Sequence, residues 1–543
     1  MCRHTLRSVG MSGLAARILD GLPPASAHGT TSSSHGDGLL DAQVVSAIMA
    51  LEGVPKFLKF IQDLDYPFTS LHQYHVLLEK KLLNWIAHPS PPDETHKQVI
   101  ERLGSTQAFW TPFLECFFVD MLSPEFFQSR RSRELKEEEE ALLRMACSLT
   151  RYLCRYGDHG ENFHNVVQLA TYGACPVLCR ILRYYRDRKD LCEQALHAVV
   201  DICRSKVNPH NRDEKNTAAT LMDQVSDAPI ADVLVKVLRH WARTAPPTVD
   251  LALRAIQAVA NCSQRVRCRF GRVDGACAEI FSALRYHLGC HRHAPASGAE
   301  VEVEAAALKV ETSHESTSGH HHHHQQQHHH YHHERNPHLA VCRQALKVMG
   351  TLCDTECSGA ESGSVSSALS AGGRDAGRDA FWQQEKLCDT VLGAMWTFVD
   401  DAHLVEFGFR SITKLVHRDT DCSRRERFGQ HRLAAGDQGV CDVFFHVARR
   451  WVHDNTASVL VVDVGVKALW HLCYKSALNP PLFSAFFADC ESDLTDTRLH
   501  KHRVKAALEL KLKKEVAEAQ ARGKNDRAKA LEHHFPTFLR VMK

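Results

Sequence analysis

One short pattern recurs along this chain and constrains its fold more than any other feature. It is a small residue followed by apolar residues three and four positions apart, usually ending near a cysteine. It reads ACSLTRYLC from Ala146, ALHAVVDIC from Ala195, AIQAVANCS from Ala255, ALKVMGTLC from Ala345, GFRSITKL from Gly408 and GVKALWHLC from Gly465. Apolar residues at this spacing share one face of an α-helix, and the small residue lets two helices cross closely. The pattern predicts a series of helices that pack on one another.

The fullest copy of the repeating unit lies in residues 162–204. Its turn, Gly173-Ala174-Cys175-Pro176, separates a short helix from a longer one. The proline lies near the start of the second helix, where its missing N–H does no harm. A third helix opens at Leu191. Helix, glycine turn, helix, loop and helix within about 40 residues is typical of a three-helix solenoid unit.

This unit resembles the armadillo repeat. The match is close in residues 162–204 and partial at 274–277 and 436–472, and the resemblance covers residues 99–487 apart from two insertions. It implies an all-α fold, an armadillo- or HEAT-like right-handed superhelix of stacked three-helix repeats with disordered insertions. HEAT-like units or another α-solenoid remain alternatives, because the motifs are degenerate.

In the armadillo family the third helices line a concave groove, where a recurrent Asn holds the backbone of an extended peptide. The resemblance therefore implies a partner-binding groove. The matching positions are Tyr152, Asp201, Asn261, Thr351, Lys414 and His471, of which only Asn261 keeps the family residue. Nuclear-import receptors of the family place Trp one turn earlier. Those positions hold Ser148, His197, Gln257, Lys347, Arg410 and Lys467, so we do not expect a receptor of that kind.

Changes in composition divide the chain into five parts. Residues 1–38 are predicted to be a disordered tail, with an organelle-targeting segment as the alternative. Residues 39–290 and 338–490 carry the helical repeats, and a Ser/Gly/Ala-rich loop is predicted at about 355–380. Residues 291–337 form a His/Gln-rich insertion. Residues 491–543 contain a basic amphipathic helix, in which Lys and Arg outnumber Asp and Glu by 13 to 5 from residue 498 onward. It either caps the array or docks on a partner.

Composition limits the classes of partner and of chemistry. The formal net charge of +2 over 543 residues gives the whole chain no bias toward nucleic acid or membranes. The sequence has no run of about 18 apolar residues, as a membrane span would need. Its 20 cysteines are scattered through helical patterns. Buried reduced thiols are therefore expected rather than disulfides.

The sequence contains none of the common catalytic signatures, since GxxxxGK[ST], GxSxG and HExxH are all missing. We therefore predict no enzyme activity and no cofactor. Histidines at 320–333 and the cluster His287, Cys290, His291 and His293 have the residue types of metal ligands. Neither offers a second ligand pair at a defined spacing, and we predict no metal site.

The function we predict is that of a non-catalytic scaffold or adaptor that binds protein partners through the groove. An all-α enzyme or a helical regulatory subunit of an enzyme complex is the alternative. We expect no small-molecule substrate and a cytoplasmic location, with the nucleus or an organelle left open. The later third helices carry Lys347, Arg410, Lys414, Lys467 and His471, which together favour an acidic peptide segment. Alternatively, nearby acids such as Glu406 or Asp463 neutralise these charges.

Overall fold

A computed structural model places most of the repeat region. It describes residues 76–87, 109–130, 134–155, 159–204, 230–262, 264–273, 275–293, 336–354, 376–417, 422–433, 438–451 and 457–473, together with isolated positions between 45 and 103 and residues 476, 478 and 479. These residues form helices and turns with no strand among them, which confirms the all-α class. The chain divides into two compact units, Met1–Val237 and Leu238–Lys543, which we call unit 1 and unit 2.

Unit 1 begins with π-helical segments and continues into a three-helix group. Its elements are the π-helices Val76–Leu83 and Phe109–Met121, and α1 (Asn84–Ala87), α2 (Pro124–Arg130), α3 (Glu137–Arg155), α4 (His159–Thr171), α5 (Ala174–Tyr184) and α6 (Lys189–Arg204). Helices α4, α5 and α6 form the group predicted at 162–204. Gly173 takes the left-handed conformation, with φ of 89°, between α4 and α5, a position that favours glycine.

Helix α7 (Ile230–Trp241) contains the division between the units, and unit 2 continues with helices in groups of three. They are α8 (Pro246–Cys262), α9 (Gln264–Arg272), α10 (Ala276–His293), α11 (Pro337–Leu352), α12 (Ala376–Trp382), α13 (Leu387–Thr397), α14 (Ala402–Leu415), α15 (Ser423–Gln430), α16 (Val440–Trp451) and α17 (Ala457–Cys473). We call α9, α12 and α15 first helices, α10, α13 and α16 second helices, and α8, α11, α14 and α17 third helices.

Corresponding helices of successive groups pack on one another. In unit 2 the third helices contact in the order α8, α11, α14 and α17, and the second helices in the order α10, α13 and α16. First helices α9 and α12 also pack together. In unit 1, α3 and α6 carry the recurring pattern from Ala146 and Ala195, so we also call them third helices, and they make the same kind of pair. Within each unit, neighbouring groups therefore stack through like elements, as a repeat requires.

The small residues of the recurring pattern are buried at the helix crossings. Ala146, Ala195, Ala255 and Ala345 are fully buried, which confirms the prediction for the alanines. Gly465 on α17 lies at a close crossing between three helices. A Cβ atom built there would lie 2.9 Å from Cδ2 of Phe444 and 3.0 Å from Cε2 of Phe409. The glycine is needed because two aromatic rings close over the α17 backbone.

The first helices share an Arg-x-x-Phe pattern that the sequence analysis did not single out. It occurs at Arg267/Phe270, Arg378/Phe381 and Arg425/Phe428, and all three phenylalanines are fully buried. Arg267 Nη1 donates to the Asp354 carbonyl at 2.8 Å, just beyond α11. Arg378 Nη1 donates to the His417 carbonyl just beyond α14. Both cations reach the C-terminal end of the third helix of their own group, which carries the negative end of the helix dipole.

One predicted boundary is wrong by a few residues. Helix α12 begins at Ala376, within the segment predicted as a loop to about residue 380. The segment is small and Gly-rich, which suggested a loop. The start of α12 packs closely on α9 at Gly271, where a Cβ atom would meet the backbone of Ala376 and Gly377. The predicted tail at 1–38, the His tract at 320–333 and the basic segment at 491–543 lie outside the described residues.

Candidate partner-binding face

The predicted groove residues lie on the accessible sides of the third helices, with buried residues on either side of them. In unit 2 they form what we call the third-helix face: Gln257 and Asn261 on α8, Lys347 and Thr351 on α11, Arg410 and Lys414 on α14, and Lys467 and His471 on α17. None of these eight is buried. On α11, for example, Lys347 stands between Leu346 and Val348, which are both fully buried.

The third helices of unit 2 meet in a constant register. Gln344 Nε2 on α11 donates to Gln257 Oε1 on α8 at 2.9 Å. One helix later the corresponding pair is Phe407 on α14 and Lys347 on α11, with the ammonium 5.1 Å from the ring centre. In both pairs, a predicted groove residue (Gln257 or Lys347) contacts the following third helix. The contacted residue lies three positions before that helix's own predicted groove residue (Lys347 or Arg410).

A second row repeats the same offset seven residues further along both helices. Lys414 Nζ on α14 lies 2.8 Å from Asp354 Oδ1, which follows α11. The corresponding pair one helix later is His471 on α17 and His417 beyond α14, with ring centres 5.9 Å apart. The register therefore holds along the face, although the side chains in each row differ in chemistry.

Acidic residues lie among the predicted cations. Arg410 Nη2 is 2.6 Å from Glu406 Oε1, the pairing expected under the neutral alternative, and Lys414 is held by Asp354. The side chain of Asp463 lies outside the described residues. The face therefore carries a mixture of charges rather than a uniform basic surface.

The α8 end of the face carries a further acid. Asp250 Oδ2 lies 2.7 Å from Arg254 Nη2. Burial raises the pKa of the Asp250 carboxyl above its usual range, and the charge of Arg254 opposes that rise. Asn261, which keeps the family residue, is exposed near the C-terminal end of the same helix. Thr351 instead turns its hydroxyl back to the Lys347 carbonyl at 3.0 Å, so that this donor is used within α11.

Unit 1 holds the remaining predicted residues on its own pair of third helices. Tyr152 lies on α3, and His197 and Asp201 lie on α6; all three are partly exposed. Asp201 Oδ2 is 3.4 Å from Arg151 Nε, so an ion pair links α3 to α6.

The same side of α3 borders an open cleft of about 650 Å³. Its lining comes from the first π-helix, the segment before α3, α3 itself and α6: Lys80, Leu83, Leu135, Glu137, Glu140, Ala141, Arg144, Met145, Ser148 and Gln194. Ser148 and Gln194 occupy the same repeat positions as Gln257 and Gln344. Charges of both signs line the cleft, and they do not select a ligand class.

The described residues bear on both metal binding and membrane insertion. No group of three or more His, Cys, Asp or Glu side chains there is arranged to hold a metal ion. His287 and His291 of the predicted cluster form hydrogen bonds with other groups. Within the same part of the chain no single helix is long and apolar enough to span a membrane. The consecutive segments Asn165–Thr171 and Ala174–Tyr184, which are bent by 66°, reach that length and apolar composition only when taken together.

Comparisons with known proteins do not assign the chain to a family. No protein-family profile matches the chain, and no characterised protein matches it by sequence. A solved structure from a study of a phosphorylation switch controlling the interaction between cadherin and beta-catenin aligns with 87% of this chain and 89% of that chain. Its sequence identity is 11% and its TM-score is 0.32. A TM-score this low carries no argument about fold or function.

Sequence reasoning named Glu406 as a possible partner of the predicted cations but missed Asp354 and Phe407. Glu406 lies four residues before Arg410, a spacing that brings side chains together on a helix, so this pair was readable from the sequence. Asp354 and Phe407 were not readable, because each meets a residue of a neighbouring helix. Their contacts depend on the register between helices, which no local pattern encodes.

Proposed function

We propose that the chain is a non-catalytic helical-repeat scaffold that binds protein segments along the third-helix face of unit 2. The constant register of this face is the observation that carries the proposal. Each third helix presents two partly or fully exposed side chains at matching positions, and contacts to the neighbouring helix hold them in a fixed row. Pre-ordered side chains lose less conformational entropy when a ligand binds.

The α8 end of the face supports recognition of a peptide main chain. Gln257, Gln344 and Asn261 lie there, and each amide side chain can both donate and accept hydrogen bonds. A peptide in an extended conformation offers both donors and acceptors along its length. The pair Gln257–Gln344, with its direct bond of 2.9 Å, holds one such amide in place.

The other end of the face supports a preference for acidic side chains. Lys347, Arg410, Lys414 and Lys467 project from three successive third helices, while Glu406 and Asp354 offset two of these charges. Because part of the field is already neutralised, we propose contacts with individual carboxylates of the ligand rather than capture of a polyanion. Such binding weakens as salt screens the exposed charges.

The test is a selection of random peptides on the wild-type protein, followed by measurement of Kd across a salt series. The triple variant Lys347→Glu, Arg410→Glu and Lys467→Glu is expected to lose the selected peptides by at least about tenfold, or about 1.4 kcal/mol. The matched control is Arg272→Glu, Arg285→Glu and Lys386→Glu, which makes the same charge change at exposed positions away from the third helices. Equal losses in the two triples, or selected peptides without acidic residues, would contradict the proposal.

A further inference from the structure

The end of α10 and the start of α11 meet in a group of polar side chains that the proposed function does not use. It consists of His287 and His291 on α10, with Asn336 and His338 at the N-terminus of α11. We call it the histidine junction. His287 is fully buried, and the other three side chains are partly buried. Residues 294–335, between the two helices, lie outside the described residues.

Hydrogen bonding at His287 fixes the protons of two rings. Its Nε2 lies 3.1 Å from the Ala242 carbonyl, which can only accept, so Nε2 must carry the proton. A neutral ring then leaves Nδ1 as an acceptor. That atom lies 2.8 Å from Nδ1 of His338, which must therefore donate. With His338 in this tautomer, a proton added to His287 Nδ1 would set two donors against each other.

The same reasoning applies to His291. Asn336 is the N-cap of α11, and its Oδ1 accepts from the backbone N–H of His338 at 3.0 Å and of Leu339 at 3.2 Å. Because Oδ1 is used in this way, Nδ2 of Asn336 is the atom directed at His291 Nδ1, 3.1 Å away. His291 Nδ1 must accept. If it were protonated, the Asn336 amide could satisfy it only by turning and giving up the cap.

The surroundings of the three rings do not favour a positive charge. Tyr286 on α10 lies 5.2 Å from His287 and Phe398 after α13 lies 4.5 Å from His291, measured between ring centres. Around them, Arg243 before α8 lies over the Tyr286 ring, and Cys290 on α10 interacts with Tyr286 and with Cys342 on α11. Two further cations lie close by. Arg292 donates to the Gly393 carbonyl at 3.3 Å, and Arg343 pairs with Asp401. Among the described residues no carboxylate pairs with His287, His291 or His338.

These surroundings lower the pKa of all three histidines. Burial is the main cause in each case, and it lowers the pKa of His287 to about 4, with His338 adding to the effect. A folded pKa below the ordinary value of about 6.5 means that folding favours the neutral ring. That contribution is complete above about pH 6.5 and is lost as the pH falls toward 4.

We propose that the histidine junction is an acid-sensitive joint, in which protonation of His287 or His291 releases the N-cap of α11 and separates it from α10. The hydrogen bonds require both rings to accept at Nδ1, and a neutral ring alone can do this. The released helix carries Lys347 and Thr351. Acid therefore weakens partner binding, and this last consequence alone rests on the proposed function.

Hydrogen exchange of the intact chain, measured by mass spectrometry at pH 7.5 and 5.5 and corrected for the intrinsic pH dependence, tests the joint. The first turn of α11 should exchange about tenfold faster at pH 5.5, the factor expected for a pKa of about 4 folded and about 6.5 unfolded. The internal control is α14, whose N-cap is the Asp401 side chain, which accepts from the Leu404 N–H at 2.6 Å, so that no histidine takes part in this cap. Equal acceleration at both caps, or none at α11, would overturn the proposal.

Variants distinguish the effect of protonating these histidines from a general effect of acid on the protein. His287→Gln with His291→Gln should remove most of the acceleration at α11, whereas His403→Gln, whose side chain is 69% exposed, should leave it unchanged. Full acceleration in the double variant would also overturn the proposal. If that variant does not fold, the comparison of the α11 and α14 caps in the wild-type chain still decides. Opening of α11 with no peptide bound at either pH would contradict the proposed function and support the joint.

Discussion

The interior of unit 2 repeats the same residue types from group to group, whereas its third-helix face does not. In the interior, Arg267, Arg378 and Arg425 stand three residues before Phe270, Phe381 and Phe428, and the same residue types return in each first helix. On the face, equivalent positions hold Gln257, Lys347, Arg410 and Lys467, with little in common beyond polarity. Packing requires like residues wherever groups stack, whereas an accessible side chain is constrained only by what it binds. If the proposed function is right, we expect its specificity to reside in the different chemistry of these face residues.

The largest loss of stability in the interior is expected when a larger side chain is placed at a helix crossing. Gly465→Val should lower the free energy of unfolding by about 3 kcal/mol, because its Cβ would lie within 3.0 Å of the Phe409 and Phe444 rings. Chemical denaturation measures this. An unchanged midpoint would mean that the α14–α17 crossing is not as close as described.

The next test removes an arginine that links the first helix of a group to the end of its third helix. Arg267→Met keeps the apolar stem but loses the bonds to the Asp354 carbonyl at 2.8 Å and the Ala260 carbonyl at 3.3 Å. We expect a loss of about 2 kcal/mol, the usual scale for hydrogen bonds to a charged group. Arg272→Met, at an exposed position of the same helix, is the control and should change the melting temperature little. Similar losses in the two variants would contradict the special role of Arg267.

A third test fills space in a second helix. Gly289 lies in α10, and a Cβ atom there meets no heavy atom of the described residues within 4 Å. Gly289→Ala should therefore stabilise the protein by about 0.5–1 kcal/mol, because the unfolded chain loses conformational freedom. Destabilisation of the purified variant would show that α10 is more tightly covered than the contacts indicate.

The smallest effect is expected on the third-helix face. Arg410→Ala removes an ion pair with Glu406 in which the arginine side chain is 53% exposed. The cost to stability should stay below about 1 kcal/mol, as for other solvent-exposed pairs. Peptide binding should still fall, since the same side chain belongs to the proposed surface. A stability loss as large as that of Arg267→Met would mean that the face and the interior do not differ.

The sequence predicted the third helices well because small and apolar residues recur there at helical spacing. Ala195 and Ala345 are buried as that spacing required. It also placed the face residues on accessible sides, since residues four apart share one side of a helix. Contacts between helices could not be predicted in the same way. His287 and His338 lie 51 residues apart, and only the packing of α10 against α11 brings their rings together.

The constant register also sets a length scale for a ligand. Packed helices lie about 8–10 Å apart, so one step from α8 to α11 or from α11 to α14 covers that distance. A polyproline II segment rises about 3.1 Å per residue and turns once every three residues, about 9.3 Å. Its side chains would therefore meet successive third helices in the same orientation. Side chains of a β-strand alternate, and three residues along they point the opposite way. We therefore expect ligands of this face to show a three-residue periodicity, with an acidic residue in every third position along the stretch that faces α11 to α17.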